Sequence, residues 1–270
     1  MKNIDIAAAC ILSEPGEIEK NLIKTEQFLR QAAEKKASIA VFPEMNITGY
    51  TSGKELVDTA VVFDNNLEKK LSGFSVKYNI AFLCGLAEKE GKCIYASHLF
   101  IDQGKVKGKY RKLQPGPPEI GYITPGDKIP VFEFNGWNIG IQLCFDAHFP
   151  DISTIMARQG ADIIIVPHAS PRGSSEDKLN SWKRHLVARA YDNGLYVLAV
   201  NQCGKNSKNL FFPGISLLIS PSGLSREVCL CEEESLFCFK LGKIKIEEVK
   251  KHRMKNFLQY RRDDFYRNYK

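Results

Sequence analysis

Three strand-like stretches of this chain close on side chains that could share one chemistry. SIAVFPE ends at Glu44, KVKGKYRK at Lys112 and WNIGIQLC at Cys144. A free thiol with a pKa of about 8.5 is only a few per cent thiolate at neutral pH, so a neighbouring base would raise the supply of nucleophile. Glu44 can be that base. When a thiolate attacks a carbonyl or nitrile carbon, negative charge builds on the oxygen or nitrogen, and a fixed ammonium such as Lys112 stabilises it. If Cys144 stands in a turn that opens a helix, the Phe145 amide is a second donor, because the first N–H groups of a helix lack internal acceptors.

The elements that must position these groups follow from periodicity. IDIAAACI (4 to 11) reads as a buried strand, and Ile18, Leu22, Leu29, Ala32 and Ala33 then recur at helical spacing. SIAVFPE (38 to 44) is the next strand, and Leu67, Leu71, Phe74 and Tyr78 mark a second helix. Strands follow at 80 to 88, 93 to 101 and 105 to 112, with turns at Glu90-Gly91 and Gln103-Gly104. After the loop LQPGPPEIGYITPGD, VFEFNG and WNIGIQLC form a hairpin through Asn135-Gly136. Pro150 starts a helix that Gly160 caps, DIIIVPHAS (162 to 170) is strand-like, and Leu179, Trp182, Leu186 and Ala190 give a helix closed by Asn193-Gly194. YVLAVNQ returns to strand and the last third is mostly β. The alternation predicts mixed sheets with helices on their outer faces, with reactive groups collected at strand ends and the loops after them.

Composition narrows the function classes. At 270 residues, 44% hydrophobic and 26% charged, the chain is long enough for one large α/β domain. No apolar run approaches the ~20 residues of a membrane span, and acidic residues near the start interrupt any signal-peptide core, so a cytoplasmic chain without a membrane partner is expected. The formal charge of +7 invites a nucleic-acid reading. Residues 243 to 270, however, carry ten Lys or Arg against four Asp or Glu, and the rest of the chain is close to neutral. No basic stripe runs along the domain, and no nucleic-acid partner is expected. The eight cysteines include no CxxC pair, which argues against a zinc site and a disulfide scaffold.

With these residues in view, the chain resembles the nitrilase superfamily of carbon–nitrogen hydrolases over almost its whole length. VFPEMNITGY is similar to that family's glutamate motif, GKYRKLQP to its lysine motif and GIQLCFDAHFPD to its cysteine motif. ARAYDNGLYVLAVNQCG and FFPGISLLISPSG resemble its later signatures, in the same order. The resemblance implies a four-layer αββα sandwich of two mixed sheets, a Glu44–Lys112–Cys144 triad, no metal or organic cofactor, and pairing with a second copy through the helices at 150 to 160 and 178 to 193. Glu119, seven residues after Lys112, matches a further glutamate that amidase members place beside the lysine.

A domain over 1 to 253 and a basic, aromatic tail over 254 to 270 follow, the tail a candidate oligomer arm. The implied reaction converts a small carboxamide to an acid and ammonia through a cysteine thioester. N-carbamoyl amines and then nitriles are the alternative substrates, Asp146 in CFD being closer to the amidase and carbamoylase branches. His168 and Arg172, in PHASPRG, could line the substrate pocket, where Arg172 could fork onto a substrate carboxylate. Asp146 and Asp151 are expected to fix the turn and helix start. A catalytically idle binding protein and an RNA binder acting through the tail are the readings from other classes.

Overall fold

The computed structural model describes residues 3–224 and 226–266; the last four residues of the tail expected from the sequence lie outside them. The first half runs β1 (Asn3–Cys10), α1 (Ile18–Glu34), β2 (Ile39–Val41), α2 (Lys54–Thr59), α3 (Asn65–Tyr78), β3 (Ala81–Glu90), β4 (Cys93–Asp102) and β5 (Lys105–Arg111). Next come β6 (Val131–Phe134), β7 (Trp137–Ile141), a 3-10 turn (Cys144–His148), α4 (Pro150–Arg158), β8 (Ile163–Pro167), α5 (Ser175–Asn193) and β9 (Tyr196–Val200). A short pair, β10 (Gly204–Lys205) and β11 (Phe211–Phe212), precedes β12 (Gly214–Ile219), β13 (Arg226–Cys231), β14 (Ser235–Gly242) and α6 (Ile244–Lys251). A second 3-10 turn (Phe257–Tyr260) and α7 (Asp263–Tyr266) follow.

Two six-stranded sheets result, ordered β14-β1-β2-β3-β4-β5 and β13-β12-β9-β8-β7-β6. Each has three parallel strands at its heart, β1 to β3 in one and β7 to β9 in the other, with antiparallel strands outside. The period-two alternation of a strand explains the layering. On β1, Ile4, Ile6, Ala8 and Cys10 join one core with Ile139, Ile141 and Ile165 of the second sheet, whereas Ala7 and Ala9 join another with Leu22 and Phe28 of α1 and Leu71 and Phe74 of α3. Both faces of the sheet are therefore buried, and the αββα sandwich expected from the sequence is the fold observed. β14 comes from the far end of the chain to pair with β1 from Asn3↔Gly242 to Cys10↔Ser235, tying both halves together.

Local chemistry sets the helix limits. The Asp64 carboxylate accepts from Leu67 N at 2.9 Å to start α3, and Asn79, at φ 48, ends it. Pro150 begins α4, and Ser174 and Asp177 form a reciprocal capping box at the start of α5, which Gly194 ends at φ 63. Three helices escape the periodicity reading: α2 buries only Leu56, α6 buries Ile246 and Val249 alone, and α7 buries nothing. The strands that lead to the site stop earlier than expected, β2 at Val41, β5 at Arg111, β7 at Ile141 and β8 at Pro167, and the site residues lie in the turns just beyond. The cause at β2 is Pro43, which has no N–H to give the ladder. Beyond β7, Gln142 N still reaches Ile165 O at 3.0 Å, but Leu143 N is captured by the Asp146 carboxylate at 3.0 Å. The described part of the tail lies on α4 and α5 of its own chain. Phe257 packs edge-on to Tyr191 with ring centroids 5.2 Å apart, and Asp263 pairs with Arg158 at 2.6 Å. Among the described residues no helix is long and apolar enough to cross a membrane.

Candidate active site

Glu44 stands in a tight turn that α1 and β3 hold shut. Met45 takes φ 55, outside the usual range for a side-chain-bearing residue, and two buried α1 residues brace the turn. Asn21 Nδ2 donates to Ile47 O at 3.0 Å, and Asn46 Nδ2 donates to Thr25 Oγ1 at 3.0 Å. On the other side Asn46 Oδ1 accepts from Gly85 N at 2.7 Å. Only a glycine allows that approach, since a Cβ at Gly85 would lie 2.6 Å from Met45 N. The Glu44 side chain is thereby pushed inward and is 1% exposed. Its Oε2 accepts from Ala169 N at 3.1 Å, and its main-chain carbonyl accepts from Gln202 Nε2 at 3.2 Å.

Lys112 directly follows β5 and is clamped by its own backbone, its N–H on Ala96 O at 2.9 Å and its carbonyl under Gly126 N at 2.8 Å. The buried ammonium lies between two carboxylates, 2.9 Å from Glu44 Oε1 and 2.9 Å from Glu119 Oε1. Glu119 is oriented in turn by Gly116 N, which donates to its Oε2 at 2.6 Å. One ammonium between two carboxylates, all three at most 2% exposed, is a costly cluster to bury unless each group is fully bonded.

Cys144 opens the 3-10 turn after β7 with φ 44, a backbone conformation that costs a non-glycine residue energy and marks many functional turns. The turn is held by Asp146, buried beneath it, whose carboxylate accepts from Leu143 N, from Gln114 N at 2.7 Å and from Tyr110 OH at 2.8 Å. The placement agrees with the turn-fixing role expected of Asp146. It also means that Asp146 does not line the substrate space.

Glu44, Lys112, Glu119 and the adjacent Cys144 and Phe145, from four separate points in the sequence, line one cavity of about 190 Å³. Tyr50, Ser170 and Arg172 line it too. Larger cavities exist, but none of them touches these groups. Of the two pocket residues expected from PHASPRG, Arg172 is on the wall and exposed at its outer edge, while His168 is not on the wall. The His168 ring lies 4.3 Å from Trp182 and its Nδ1 sits 2.8 Å from Val166 O, so packing beneath the loop accounts for it. Tyr50 and Ser170 were not singled out in the sequence, although both lie inside or beside stretches that were. Among the described residues no group of three or more His, Cys, Asp or Glu could hold a metal ion.

Burial governs the electrostatics of this cavity. It lifts the Glu44 carboxyl to about 7, with the Lys112 ammonium pulling the other way and the Glu119 carboxylate adding to the rise. Burial alone would lower the Lys112 ammonium, but Glu44 and then Glu119 outweigh it and hold the group well above its ordinary value. The Cys144 thiol is pushed far up by burial and by Glu44, Lys112 opposing. The resting combination is a neutral thiol, a cationic lysine and a carboxyl poised to exchange a proton near neutrality, which suits base and acid work by one group.

The family model for carbon–nitrogen hydrolases matches residues 6–231. A citrullinase of Francisella tularensis is 32% identical over 216 residues, 75% of each chain. A nitrilase of Pyrococcus abyssi is 25% identical over 260 residues, covering 93% of this chain and 94% of its own. Among solved structures, an amidase from Nesterenkonia sp. superposes with a TM-score of 0.83 at 25% identity, over 99% of this chain and 96% of that one. The match over most of the domain, the shared fold and the shared order of motifs agree: this chain belongs to the carbon–nitrogen hydrolase family, the nitrilase superfamily, and is built like one of its amidases.

Proposed function

We propose that this carbon–nitrogen hydrolase converts a small carboxamide to a carboxylic acid and ammonia, with Cys144 as nucleophile, Glu44 as proton carrier and Lys112 as the fixed cation. The observation that carries the reading is the Glu44–Lys112–Glu119 cluster, buried and closely bonded against the wall that holds Cys144. In the first step Cys144 Sγ bonds to the carbonyl carbon as its proton passes to Glu44. Charge on the carbonyl oxygen is met by the Lys112 ammonium and the Phe145 N–H. Glu44 returns the proton to the nitrogen, the carbon–nitrogen bond breaks, ammonia leaves and a thioester remains. Water then attacks the thioester carbon, giving its proton to Glu44 and on to the sulfur, so acid and thiol are released and the site is restored. In keeping with a nucleophilic cysteine, a Glu-to-Gln mutant of the Nesterenkonia amidase carries acrylamide joined by Michael addition at its active-site cysteine.

Glu119 favours the amide over the nitrile. A carboxylate on the cavity wall can accept from the planar NH₂ of an amide, whereas a nitrile has no N–H to offer. The cavity is small, with room for about six waters at ~30 Å³ each, so the substrate is a molecule of a few carbons. N-carbamoyl compounds are the second reading, supported by the citrullinase relative and by the same NH₂ group. The test is ammonia release from matched amide, N-carbamoyl and nitrile forms of the same side chains. Fastest turnover of the amides is expected; carbon dioxide released with the ammonia would mark the carbamoyl reading, and preference for the nitriles would overturn the Glu119 reasoning.

A further inference from the structure

The cavity that holds the Glu44–Lys112–Glu119 cluster has a further cation, Arg172, on its wall, and Lys178 lies close behind Ser170 of the same wall. Arg172 lines the cavity from the loop after β8 at φ 83, a conformation that favours glycine, and its N–H is tied to Phe211 O at 3.0 Å. Lys178 comes from the first turn of α5 and donates from Nζ to Ser170 Oγ at 2.7 Å. Ser170 is itself locked in place, its N–H on Asn201 Oδ1 at 2.9 Å and its carbonyl under Asn201 Nδ2 at 3.1 Å.

Several forces oppose putting a cation there. Lys178 is half-buried, which lowers its ammonium pKa on balance; Cys144 opposes the drop, Arg172 adds to it and Asp177 offsets a part. The positive end of the α5 dipole adds to the cost. Among the described residues neither Arg172 nor Lys178 has a carboxylate within ion-pair distance, and the nearby Asp177 carboxylate is occupied by the Ser174 N–H and hydroxyl. Lys178 and Cys144 are near enough to act on each other's ionisation. Because Ser170 Oγ accepts from Lys178, its own proton is left to donate into the cavity.

We infer that Ser170 and Arg172 form a subsite for a carboxylate at the far end of the substrate, with Lys178 as the positioning residue that orients the Ser170 hydroxyl and supplies charge behind it. The substrate class is then a short dicarboxylic acid monoamide, its amide at Cys144 and its carboxylate at the Arg172 edge. The inference deepens the amide reading and rests on it.

Succinamate and butyramide are the probes, having the same amide end and chain length but differing in terminal charge. For the wild-type protein kcat/KM for succinamate should exceed that for butyramide by about tenfold or more, the scale of hydrogen bonds to a charged group. Arg172→Gln and Lys178→Met should each lower the succinamate-to-butyramide ratio by about tenfold, with the loss in the KM of succinamate rather than its kcat. A wild-type ratio near one, or a ratio that neither variant moves, overturns the subsite. Calorimetric binding of both probes to Cys144→Ala separates the two claims. Tighter binding of succinamate, lost in Cys144→Ala/Lys178→Met, with neither probe hydrolysed by the wild type, supports the subsite and defeats amide hydrolysis. Equal binding of the two probes, with butyramide hydrolysed, defeats the subsite and leaves the amide reading standing.

Discussion

Replacing Lys112 by methionine removes the charge at the centre of the buried cluster while keeping most of the side-chain volume. Two contacts of 2.9 Å are lost, each on the order of 6 kcal/mol of attraction at an effective dielectric constant of about 20. Most of that attraction only offsets the desolvation of the charges, so the net cost of removing one partner from a buried cluster is about 3–5 kcal/mol. For 270 residues, at about 2.1 cal/mol/K of unfolding entropy per residue, this lowers Tm by about 5–9 °C. Turnover falls further than stability. The oxyanion loses its fixed cation, worth about 10²-fold or more in kcat. Glu44, no longer held down by the ammonium, is protonated over more of the neutral range and withdrawn as a base. The assay pairs scanning calorimetry with ammonia release from a small carboxamide, on protein shown by circular dichroism to keep its secondary structure. A variant within about 1 °C of wild type in Tm, with kcat within about threefold, would refute the reasoning and make Lys112 a structural spectator.

The pH profile of kcat/KM should rise as pH passes through about 7, because Glu44 must be deprotonated to accept the thiol proton and burial sets its carboxyl at about 7. The apparent value belongs to the coupled cluster, and a rate that is flat across that region would contradict the assignment. Tyr110→Phe leaves the buried Asp146 carboxylate one donor short; it should cost about 1–3 kcal/mol, or roughly 2–5 °C in Tm, and lower kcat as the Cys144 turn loosens. Unchanged melting and rate would show that the Tyr110 contact does not hold the turn. We further propose a homo-oligomer with a dimer as its smallest unit, checked by light scattering at micromolar concentration, where a monomer would contradict it. Removing residues 254 to 270 should weaken that association, since the described tail residues lie on α4 and α5, the helices proposed to form the interface.

The layers of the fold were legible because strands and helices carry different apolar periods. The alternating residues of β1 divide cleanly between two cores, and the buried residues of α1 recur at helical spacing. Glu44, Lys112 and Cys144 were legible for another reason, each being a reactive type set at the end of a strand-like stretch. The turns that carry them were not, because their shapes depend on distant partners. Leu143 leaves the ladder for a side chain, Met45 is bent by contacts with α1 and β3, and no local signal encodes either. Lys178 was hidden for a related reason. In sequence it is one charged residue in a polar helix start, and only the fold brings it to Ser170. His168 was misplaced because a residue just past a buried strand can face either a cavity or a neighbouring ring, and only the fold sets it against Trp182.

The central claim is that bond cleavage passes through a thioester on Cys144, and rapid-quench mass spectrometry of the protein during turnover of a small carboxamide tests it most directly. The account predicts an acyl adduct, with the mass of the substrate less ammonia, on the peptide that contains Cys144. Cys144→Ala, still folded, should form no adduct and release no ammonia. Steady turnover without an adduct on that peptide, together with ammonia release by Cys144→Ala, would contradict it.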